Sequence, residues 1–396
     1  MTTKINNEHK KVYVPNSTDR GNVIRNVPHL RFPEFEGEWE DFLINDVCSE
    51  FKSGKNIKAD SISESGEYPV YGGNGLRGYT SSYNHEGLYV LIGRQGALCG
   101  NVRSVHGKTF ITEHAIAVAG NEISNTSFLH YLFVKMNLGQ YSDQSAQPGL
   151  AVNKLLKIKV VLPSVSEQTK IARFLSLLDE RITTQNKIID KLQSLIKGIN
   201  QRVFMNNGIN YKLGEISEIR SGYSGNQLLS KKGLKVSRIE TISGHKVNME
   251  RVGYVAPFES SDNYRLQVGD ILFSNINSVE YIGNTAFIDK DYDLYHGMNL
   301  LRLIPNNMVV IPFYLYLLLN TNRMLNRFKT VCNKAVSQAS INQTELGKTV
   351  VQIPDINAQK QICELYQALY DKLESEKYAN SLFQKQKQYL LRQMFI

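Results

Sequence analysis

The sequence predicts an α+β fold: two similar mixed α/β domains separated by two long antiparallel coiled-coil helices, related by a pseudo-twofold internal repeat. One observation is that LPSVSEQTKIARFLSLLDERI, at residues 162–182, returns as IPDINAQKQICELYQALYDKL at residues 353–373. The offset of 191 residues holds without a gap as far as Phe204 and Phe395. A second observation is that the stretches before these segments also resemble each other, so the chain contains one scaffold twice.

Composition places the chain among globular proteins of more than one domain. At 396 residues it is too long for one ordinary core, and its apolar fraction of 42% is that of a folded protein. The net charge of +9 and the pI of about 9.1 favour a polyanion as partner. On charge alone, a basic housekeeping enzyme is the alternative.

The chain lacks the usual marks of secretion and of membrane insertion. Its cysteines are few and far apart: Cys48, Cys99, Cys332 and Cys363. Because no Cys-x-x-Cys pair occurs, neither a zinc site nor a disulfide framework is indicated. The N-terminal MTTKINNEHKK has no apolar core of a signal peptide, and the longest apolar run, at 311–319, is shorter than the ~20 residues of a spanning helix. We therefore expect a soluble, cytoplasmic protein with reduced thiols.

The elements follow one another in a regular order. We predict a flexible arm at 1–26, a first mixed domain with an N-terminal strap at 27–163, a first long helix at 164–206, a second mixed domain at 207–354 and a second long helix at 355–396. The strap, VPHLRFPEFEGEWE, carries four large apolar residues that favour docking on a larger body: Leu30, Phe32, Phe35 and Trp39. An ordinary linker is the alternative.

The two mixed domains share a pattern of strands, turns and one helix. LYVLIG at 88–93 reads as a strand between glycine-rich turns, and LYVLIGRQGALCGNV at 88–102 resembles DILFSNINSVEYIGNT at 270–285. FLHYL at 128–132, which reads as a helix, matches FYLYL at 313–317. The interval from Gly54 to Pro163 is shorter than the matching interval from Gly222 to Pro354, so the copies carry different inserts. This predicts one fold adapted to two targets.

Each half ends in a long helix. Ser164 and Glu167 form a Ser-x-x-Glu capping box, and Asp355 or Asn357 is the matching N-cap. Nearly 40 residues make a rod of roughly 58 Å, and such a rod with one apolar stripe needs a partner helix. We expect the two rods to pack antiparallel as a spacer; the alternative is that each covers only its own domain. The residues predicted to pack between the helices are Ile171, Phe174, Leu178, Ile182, Leu192, Ile199, Ile362, Leu365, Leu369, Leu373, Phe383 and Leu390.

The sequence contains none of the common motifs of an enzyme that acts on DNA. There is no Asn-Pro-Pro-aromatic or Asp-Pro-Pro-Tyr tetrapeptide, no Phe-x-Gly-x-Gly loop for a methyl donor, and no phosphate-binding Gly-x-x-x-x-Gly-Lys-Ser/Thr loop. The histidines show no metal-binding spacing, and His114 and His296 fit structural roles. No catalytic residue and no metal ligand is predicted. An enzyme with an unfamiliar site remains an alternative.

The sequence resembles the specificity (S) subunit of type I restriction-modification systems. The resemblance is carried by LRFP at 30–33 with Gly37-x-Trp39, by Gln147-x-x-Leu150 and Gln338-x-x-Ile341, by Leu162-Pro163-x-x-x-x-Gln168 and Ile353-Pro354-x-x-x-x-Gln359, and by GDILFS at 269–274. The motifs span nearly the whole chain. Ala358 departs from the pattern, since the first copy has Glu167 there.

The resemblance implies a non-catalytic subunit that recognises DNA. Each mixed domain would be a target-recognition domain that reads one part of a bipartite, asymmetric sequence. The helices would set the unread spacer and dock two modification (methyltransferase) subunits, which restriction subunits would then join. S-adenosylmethionine, ATP and Mg²⁺ would be bound by those partners and not by this chain. The strap would close a pseudo-circle beside the second helix. A coiled-coil tether that reads no DNA is the alternative.

Base reading requires side chains that match base edges, namely Arg or Lys for guanine and Asn or Gln for adenine. The candidates in turn-rich stretches are Lys52, Lys55, Arg94, Gln95, Asn101 and Gln147 in the first domain, and Arg220, Tyr223, Asn226, Arg238, Asn275, Asn277, Tyr281 and Gln338 in the second. Arg94 and Asn275 occupy equivalent places. The two tyrosines would stack on bases or lie along the backbone, and the lysines would hold phosphates. For each residue a solvated or structural role is the alternative.

Overall fold

The computed structural model describes residues 26–143, 148–204, 208–334 and 338–396. Except for its last residue, the arm predicted at 1–26 lies outside these ranges. The chain divides into two compact units, one of Met1–Asn186 with Tyr378–Ile396, the other of Lys187–Lys377. Both long helices contribute to both units.

The first unit is built on one mixed sheet. Its strands and helices are β1 (Glu40–Leu43), α1 (Ile44–Val47), β2 (Cys48–Ser53), β3 (Tyr68–Gly72), β4 (Gly75–Thr80), β5 (His85–Gly93), β6 (Val102–Ile111), β7 (Ala115–Gly120), α2 (Thr126–Met136), α3 (Val152–Leu155) and β8 (Lys159–Leu162). The sheet has the order β2-β7-β5-β6-β3-β4, and β1 pairs separately with β8. A buried cluster that includes Ile92, Val118 and Phe133 joins the sheet to α2.

The second unit repeats this plan. Its elements are β9 (Ile209–Lys212), α5 (Leu213–Ile216), β10 (Ser217–Ser221), β11 (Leu234–Val236), β12 (Gly253–Val255), β13 (Ile271–Phe273), β14 (Ile276–Asn277), β15 (Thr285–Phe287), β16 (Leu301–Pro305), α6 (Pro312–Leu319), α7 (Asn322–Val331), β17 (Asn333–Lys334), β18 (Ala339–Ser340), α8 (Gln343–Gly347) and β19 (Val350–Ile353). The order β10-β16-β13-β15 reproduces β2-β7-β5-β6, and β9 pairs with β19 as β1 pairs with β8. The predicted α+β repeat is confirmed.

The two inserts occupy the same place in the chain. In the first unit, β3 and β4 lie between β2 and β5 and extend the sheet. In the second unit, β11 and β12 lie between β10 and β13 and form a separate hairpin with its own small core. The shared strands keep their order, and the second unit also has the helix α7 and the short strands β14, β17 and β18 outside this interval.

The long helices α4 (Val165–Val203) and α9 (Ile356–Gln393) run antiparallel. In the first unit, Lys387 Nζ lies 2.5 Å from Asp179 Oδ1, and Asn380 Nδ2 donates to Asn186 Oδ1 at 2.9 Å. A step of seven residues forward on α4 therefore matches a step of seven backward on α9. In the second unit the hydroxyl of Tyr366, early in α9, donates to Asn200 Oδ1, late in α4, at 3.3 Å.

The apolar stripe differs from the predicted one at two positions. Phe174 is 38% exposed, and its ring meets Phe32 of the strap edge-on at 5.8 Å, because the strap covers that side of α4. Leu365 is 43% exposed, whereas its neighbour Tyr366 is fully buried. Tyr366 thus continues the spacing of four from Ile362, and the other predicted packing residues are buried or half-buried.

The hydrogen bonds at the starts of the helices show which residues of the two repeats are equivalent. Asn357 N and Ala358 N donate to Asp355 Oδ1, so Asp355 caps α9. The Glu167 carboxylate does not complete the predicted capping box, because both its oxygens bind Arg31 at 2.8 Å. Two further capping positions are Asn125 before α2 and Ile311 before α6; their backbone N–H groups donate to Gln168 and Gln359 respectively, each at 2.8 Å. The offset of α2 against α6 is therefore 186 residues, one more than the match of FLHYL with FYLYL suggests.

Candidate nucleic-acid interface

The turn after β5 is repeated after β13 with the same backbone hydrogen bonds. Gly93 N donates to Asn101 O at 2.8 Å and Gly100 N to Gly93 O at 2.7 Å. The equivalent bonds join Ser274 N to Asn284 O at 2.8 Å and Gly283 N to Ser274 O at 2.9 Å. Gly100 and Gly283 have φ of +87° and +84°, a left-handed conformation that favours glycine. The two ends of the turn are therefore built in the same way in both units, although the second turn is two residues longer.

The segment that leads to the last strand of each unit runs beside this turn. In the first unit, Leu150 N donates to Arg94 O at 2.9 Å and Gly96 N to Pro148 O at 3.0 Å. In the second, Ile341 N donates to Asn275 O at 2.9 Å. The equivalence of Arg94 and Asn275 predicted from the sequence is thus seen in matching backbone contacts.

A third segment, which connects β6 to β7, completes the first surface. Lys55 N donates to Ile111 O at 3.0 Å, and Arg94 N donates to His114 O at 2.9 Å. The His114 ring nitrogen Nδ1 lies 3.2 Å from Gln95 Oε1. Lys55, Arg94, Gln95 and His114 therefore lie along one edge of the sheet. His114, which the sequence suggests as structural, is half-exposed here, and its place beside Gln95 follows from a sheet register that the sequence does not reveal.

The remaining candidates of the first unit lie around this edge. Lys55, Gln95 and Asn101 are exposed, and Arg94 is half-buried. Lys52 is also exposed, and its Nζ lies 3.1 Å from Glu50 Oε1. Gln147 lies outside the described residues.

In the second unit the arginine candidates are held by nearby carboxylates. Arg220 Nε and Nη2 donate to the two carboxylate oxygens of Glu218 at 2.7 and 2.9 Å, and these hydrogen bonds hold the pKa of Glu218 below its usual value. Arg238 Nε lies 3.4 Å from Glu240 Oε2. Both guanidinium groups are exposed beside a neutralising partner. Their orientation is therefore fixed more firmly than that of a solvated arginine.

The tyrosine candidates differ from each other. The Tyr223 ring stacks on Phe258 with centroids 3.7 Å apart and planes 6° from parallel, and it also contacts Tyr264 edge-on. One face of that ring is therefore already covered. Tyr281 is 47% exposed and lines a small cavity of about 130 Å³ together with Asn277. Of the two, Tyr281 has the more available ring.

The amide candidates of the second unit also separate by environment. Asn277 Nδ2 donates to Ser274 Oγ at 3.1 Å, and its Oδ1 accepts from Ser278 N at 2.8 Å. Asn275 is half-buried, and its Oδ1 has no hydrogen-bond partner among the described residues. Asn226 and Gln338 are exposed. At the turn position where the first unit has Arg94, the second unit thus has the amide of Asn275.

Two global features bear on what this surface can do. Across residues 26–143, 148–204, 208–334 and 338–396, no three His, Cys, Asp or Glu side chains are grouped so that they could hold a metal ion. Within the same ranges, no helix has the length and apolarity needed to span a membrane.

His296, the equivalent strand-entry histidine of the second unit, is buried with Nε2 3.0 Å from Leu300 O, and burial lowers its pKa to about 4.

Comparison with known proteins assigns the chain to a family. Residues 36–194 and 208–381 match the type I restriction modification DNA specificity domain. The chain is 41% identical over 165 residues to the EcoprrI specificity subunit of Escherichia coli, covering 41% of this chain and 40% of that protein. It is 44% identical over 150 residues to the putative MjaX specificity subunit of Methanocaldococcus jannaschii, covering 37% and 35%. These alignments thus span well under half of each relative.

The fold has a counterpart of nearly full length. The crystal structure of the type I restriction-modification system S subunit from M. genitalium superposes with a TM-score of 0.64 at 17% identity, covering 93% of this chain and 99% of that one. At such low identity the likeness concerns the fold alone. The two family matches together account for most of the sequence, one in each repeat. The chain therefore belongs to the family of type I restriction modification DNA specificity domains.

Proposed function

We propose that the chain is the sequence-specific DNA-recognition subunit of a type I restriction-modification complex, in which each unit reads one part of a bipartite, asymmetric target. The single observation that carries this proposal is the repeated turn. The hydrogen bonds that close the turn and its left-handed glycine are the same in both units, but the second turn is two residues longer, and the turn presents Arg94 and Gln95 in one unit and Asn275 and Asn277 in the other. Turns that are closed in the same way but carry different base-reading side chains suit two different half-sequences.

Charge and exposure favour DNA as the ligand of these surfaces. Arginine and lysine pair with guanine or phosphate, and the amides of Asn and Gln pair with adenine. Lys55, exposed at the edge that carries Arg94, is suited to a phosphate. The net charge of +9 supports association with a polyanion. Because its proposed DNA target lies inside the cell, the proposal includes a cytoplasmic location for the chain.

The proposed complex supplies the chemistry from other subunits. Two modification subunits would dock on α4 and α9 and carry S-adenosylmethionine, while restriction subunits would bring ATP and Mg²⁺. The helices would set the unread spacer. Support comes from the family description and from the absence of methyl-donor and phosphate-loop motifs in the sequence. In this proposal the chain itself is not an enzyme.

The decisive experiment is genome-wide mapping of adenine methylation in a host that expresses this chain with and without a modification subunit. We expect a split motif that appears only when both proteins are present. Methylation by this chain alone would overturn the non-catalytic role. Assembly with a competent modification subunit and no motif would leave a tether and remove the reader function.

Paired variants then show which unit reads which half of the target sequence. Arg94→Ala is expected to relax one half of the motif and Asn275→Ala the other, each by about 1–3 kcal/mol of discrimination. Each variant is the control for the other, since the untouched half must stay unchanged. Lys55→Ala is expected to weaken binding to all sequences and to reduce the salt dependence. Relaxation of both halves by one variant would contradict the division of labour.

A further inference from the structure

A groove of about 550 Å³ lies in the second unit and contains none of the candidate DNA-contacting residues. Three parts of the unit form it: the loop around His245, the end of β15 with the residues after it, and the helices α6 and α9. The loop belongs to the insert that distinguishes the second half from the first. The groove is therefore a property of this half only.

Aromatic rings line one side of the groove. The Phe313 ring lies 5.4 Å from that of Phe287 and 6.0 Å from that of Tyr316, the latter pair only 18° from parallel. Tyr370 meets Phe313 edge-on at 6.4 Å, and Tyr292 stands at the rim. Because the face of an aromatic ring is electron-rich, such a wall attracts a cation that lies against it.

Carboxylates complete the groove. Asp289, Asp371 and Glu374 line it and are exposed. Partial burial acts to raise the pKa of Glu374, but hydrogen bonds from Lys246 at 3.1 Å and Lys377 at 3.2 Å outweigh it and hold that pKa below its usual value. Lys246 itself lines the groove, so three carboxylates face one ammonium, and the groove is acidic on balance in a chain of net charge +9. DNA phosphates would be repelled here, whereas a positively charged group would be held.

The scaffold does not need these rings. With the offsets of 186 and 191 residues, the first unit has Ser127, His130 and Asp179 where the second has Phe313, Tyr316 and Tyr370. Both units nevertheless build the same strand order and the same helix starts. In the second unit these rings pack on its core, and the Tyr316 hydroxyl donates to His245 O of the insert at 2.9 Å. Phe313 and Tyr370 remain half-buried and line the groove, so both rings are available to a ligand.

The first unit shows this chemistry in use within the chain itself. The Lys387 ammonium lies 2.5 Å from Asp179 Oδ1 and 5.6 Å from the centroid of the Tyr131 ring. A cation held between a carboxylate and an aromatic face is therefore an arrangement that this scaffold already supports. In the second unit the position equivalent to Lys387 is Ile196, which brings no cation of its own.

We propose that the groove binds an arginine side chain presented by the modification subunit; this inference rests on the proposed function. Arginine fits better than lysine because its planar guanidinium can stack on the half-buried rings of Phe313 and Tyr370 and donate two hydrogen bonds to one carboxylate. A protein fits better than DNA because the carboxylates exclude phosphate. The groove thus gives the second half a docking contact that the first half lacks.

The test compares the full chain with its Asp371→Asn/Glu374→Gln variant in binding to the modification subunit. The control is Glu250→Gln/Glu259→Gln, which removes the same charge from exposed positions of the second unit outside both the groove and the long helices. The groove variant is expected to bind at least tenfold more weakly, and the control within twofold of the wild type. A photo-crosslinking residue in place of Gln367 is expected to capture an arginine-containing peptide of the modification subunit.

The outcomes separate this inference from the proposed function. Wild-type affinity in the groove variant, or an equal loss in the control, would overturn the groove as a docking site. Crosslinks to DNA alone would overturn the choice of partner. If the wild-type assembly forms through the groove but no methylation motif appears, the reader function fails and the groove stands. A wild-type chain that does not bind the modification subunit would overturn both.

Discussion

The side chains of Gln168 and Gln359 make the same three hydrogen bonds, one set in each half of the chain. Each amide donates to the carbonyl of the proline five residues earlier and to a carbonyl that precedes the domain helix, and each accepts from the N–H of that helix's N-cap residue. The partners, at 2.8–3.1 Å, are Pro163, Ile123 and Asn125 for Gln168, and Pro354, Val309 and Ile311 for Gln359. Both glutamines are 0% exposed. They fasten each long helix to its own domain.

Replacing Gln168 by leucine is expected to destabilise the first unit. The substitution leaves two carbonyls and one N–H without partners in a buried place, and an unsatisfied buried group costs about 1–3 kcal/mol. Trp39 is the only tryptophan in the sequence, is 2% exposed, and packs against Phe128 and Phe395 of the same unit. Urea unfolding followed by its fluorescence should shift to a lower midpoint.

Gln359→Leu is the matched control, because it makes the same change in the second unit. We expect it to leave the Trp39 transition nearly unchanged while lowering the midpoint seen by circular dichroism. Equal shifts of the Trp39 signal in both variants would mean that the two units unfold together, contrary to the independent cores described above.

The ion pair between the strap and the first long helix provides a second prediction. Arg31 Nε and Nη2 bind both oxygens of Glu167, which is 1% exposed, and Arg31 also donates to Gly37 O. Arg31→Ala leaves a buried, unpaired carboxylate, which typically costs about 3–5 kcal/mol. Arg31→Met/Glu167→Met should recover much of that loss, since the second repeat uses Ala358 at the equivalent place. Thermal unfolding of the two variants measures this; a double variant no more stable than Arg31→Ala would refute it.

Repetition makes the fold largely predictable from this sequence. A constant offset predicts equivalent helices, and those helices appear at Val165–Val203 and Ile356–Gln393. The same comparison matches Arg94 with Asn275, because the Gly-Asn pair that closes the turn, Gly100-Asn101 and Gly283-Asn284, is retained in both copies. The comparison is less reliable where the match rests only on residue identity over a short segment. FLHYL and FYLYL share most letters at one offset, but the hydrogen bonds of Gln168 and Gln359 fix the helices one residue away.

What the sequence could not reveal is which side chains find partners far away in the chain. Tyr223 looks like a free aromatic residue in a turn, yet Phe258, 35 positions later, covers one face of its ring. Phe174 fits the apolar stripe by its spacing, yet its ring packs against Phe32 of the strap. The aromatic groove is lined by the insert loop around His245 and by α6 and α9, which are far apart in the chain, so no local sequence pattern predicts it. Tertiary contacts of this kind depend on the packed structure and not on periodicity.

Acidic pH is expected to destabilise the second unit through His296. Burial lowers its pKa to about 4, whereas the unfolded side chain titrates near 6.5. Between those values the unfolded state binds more protons, so stability is fully present above pH ~6.5 and is lost as the pH falls towards ~4, by on the order of 3 kcal/mol. His296→Gln should flatten this slope in urea unfolding at pH 7 and pH 4.5. His106→Gln, at an exposed position, is the control and should keep the slope of the wild type.

On the proposed function, the antiparallel register of α4 and α9 makes the length of the unread spacer a testable quantity. In the first unit Asp179 faces Lys387 and Asn186 faces Asn380, so an insertion after Gln185 matches one after Asn380. Seven residues added at both points keep the apolar stripe in phase and lengthen the pair by roughly 10 Å. Methylation mapping should then show the same half-sequences separated by about three more base pairs.

An unmatched insertion provides the contrast. Four residues after Gln185 alone add about one helical turn to α4 without a counterpart on α9, so the register of the pair is lost. We expect a longer gap or no binding, with neither half-sequence altered. If either variant changed the half-sequences themselves, base reading would not be confined to the two mixed domains. The helices would then take part in recognition and not only in spacing.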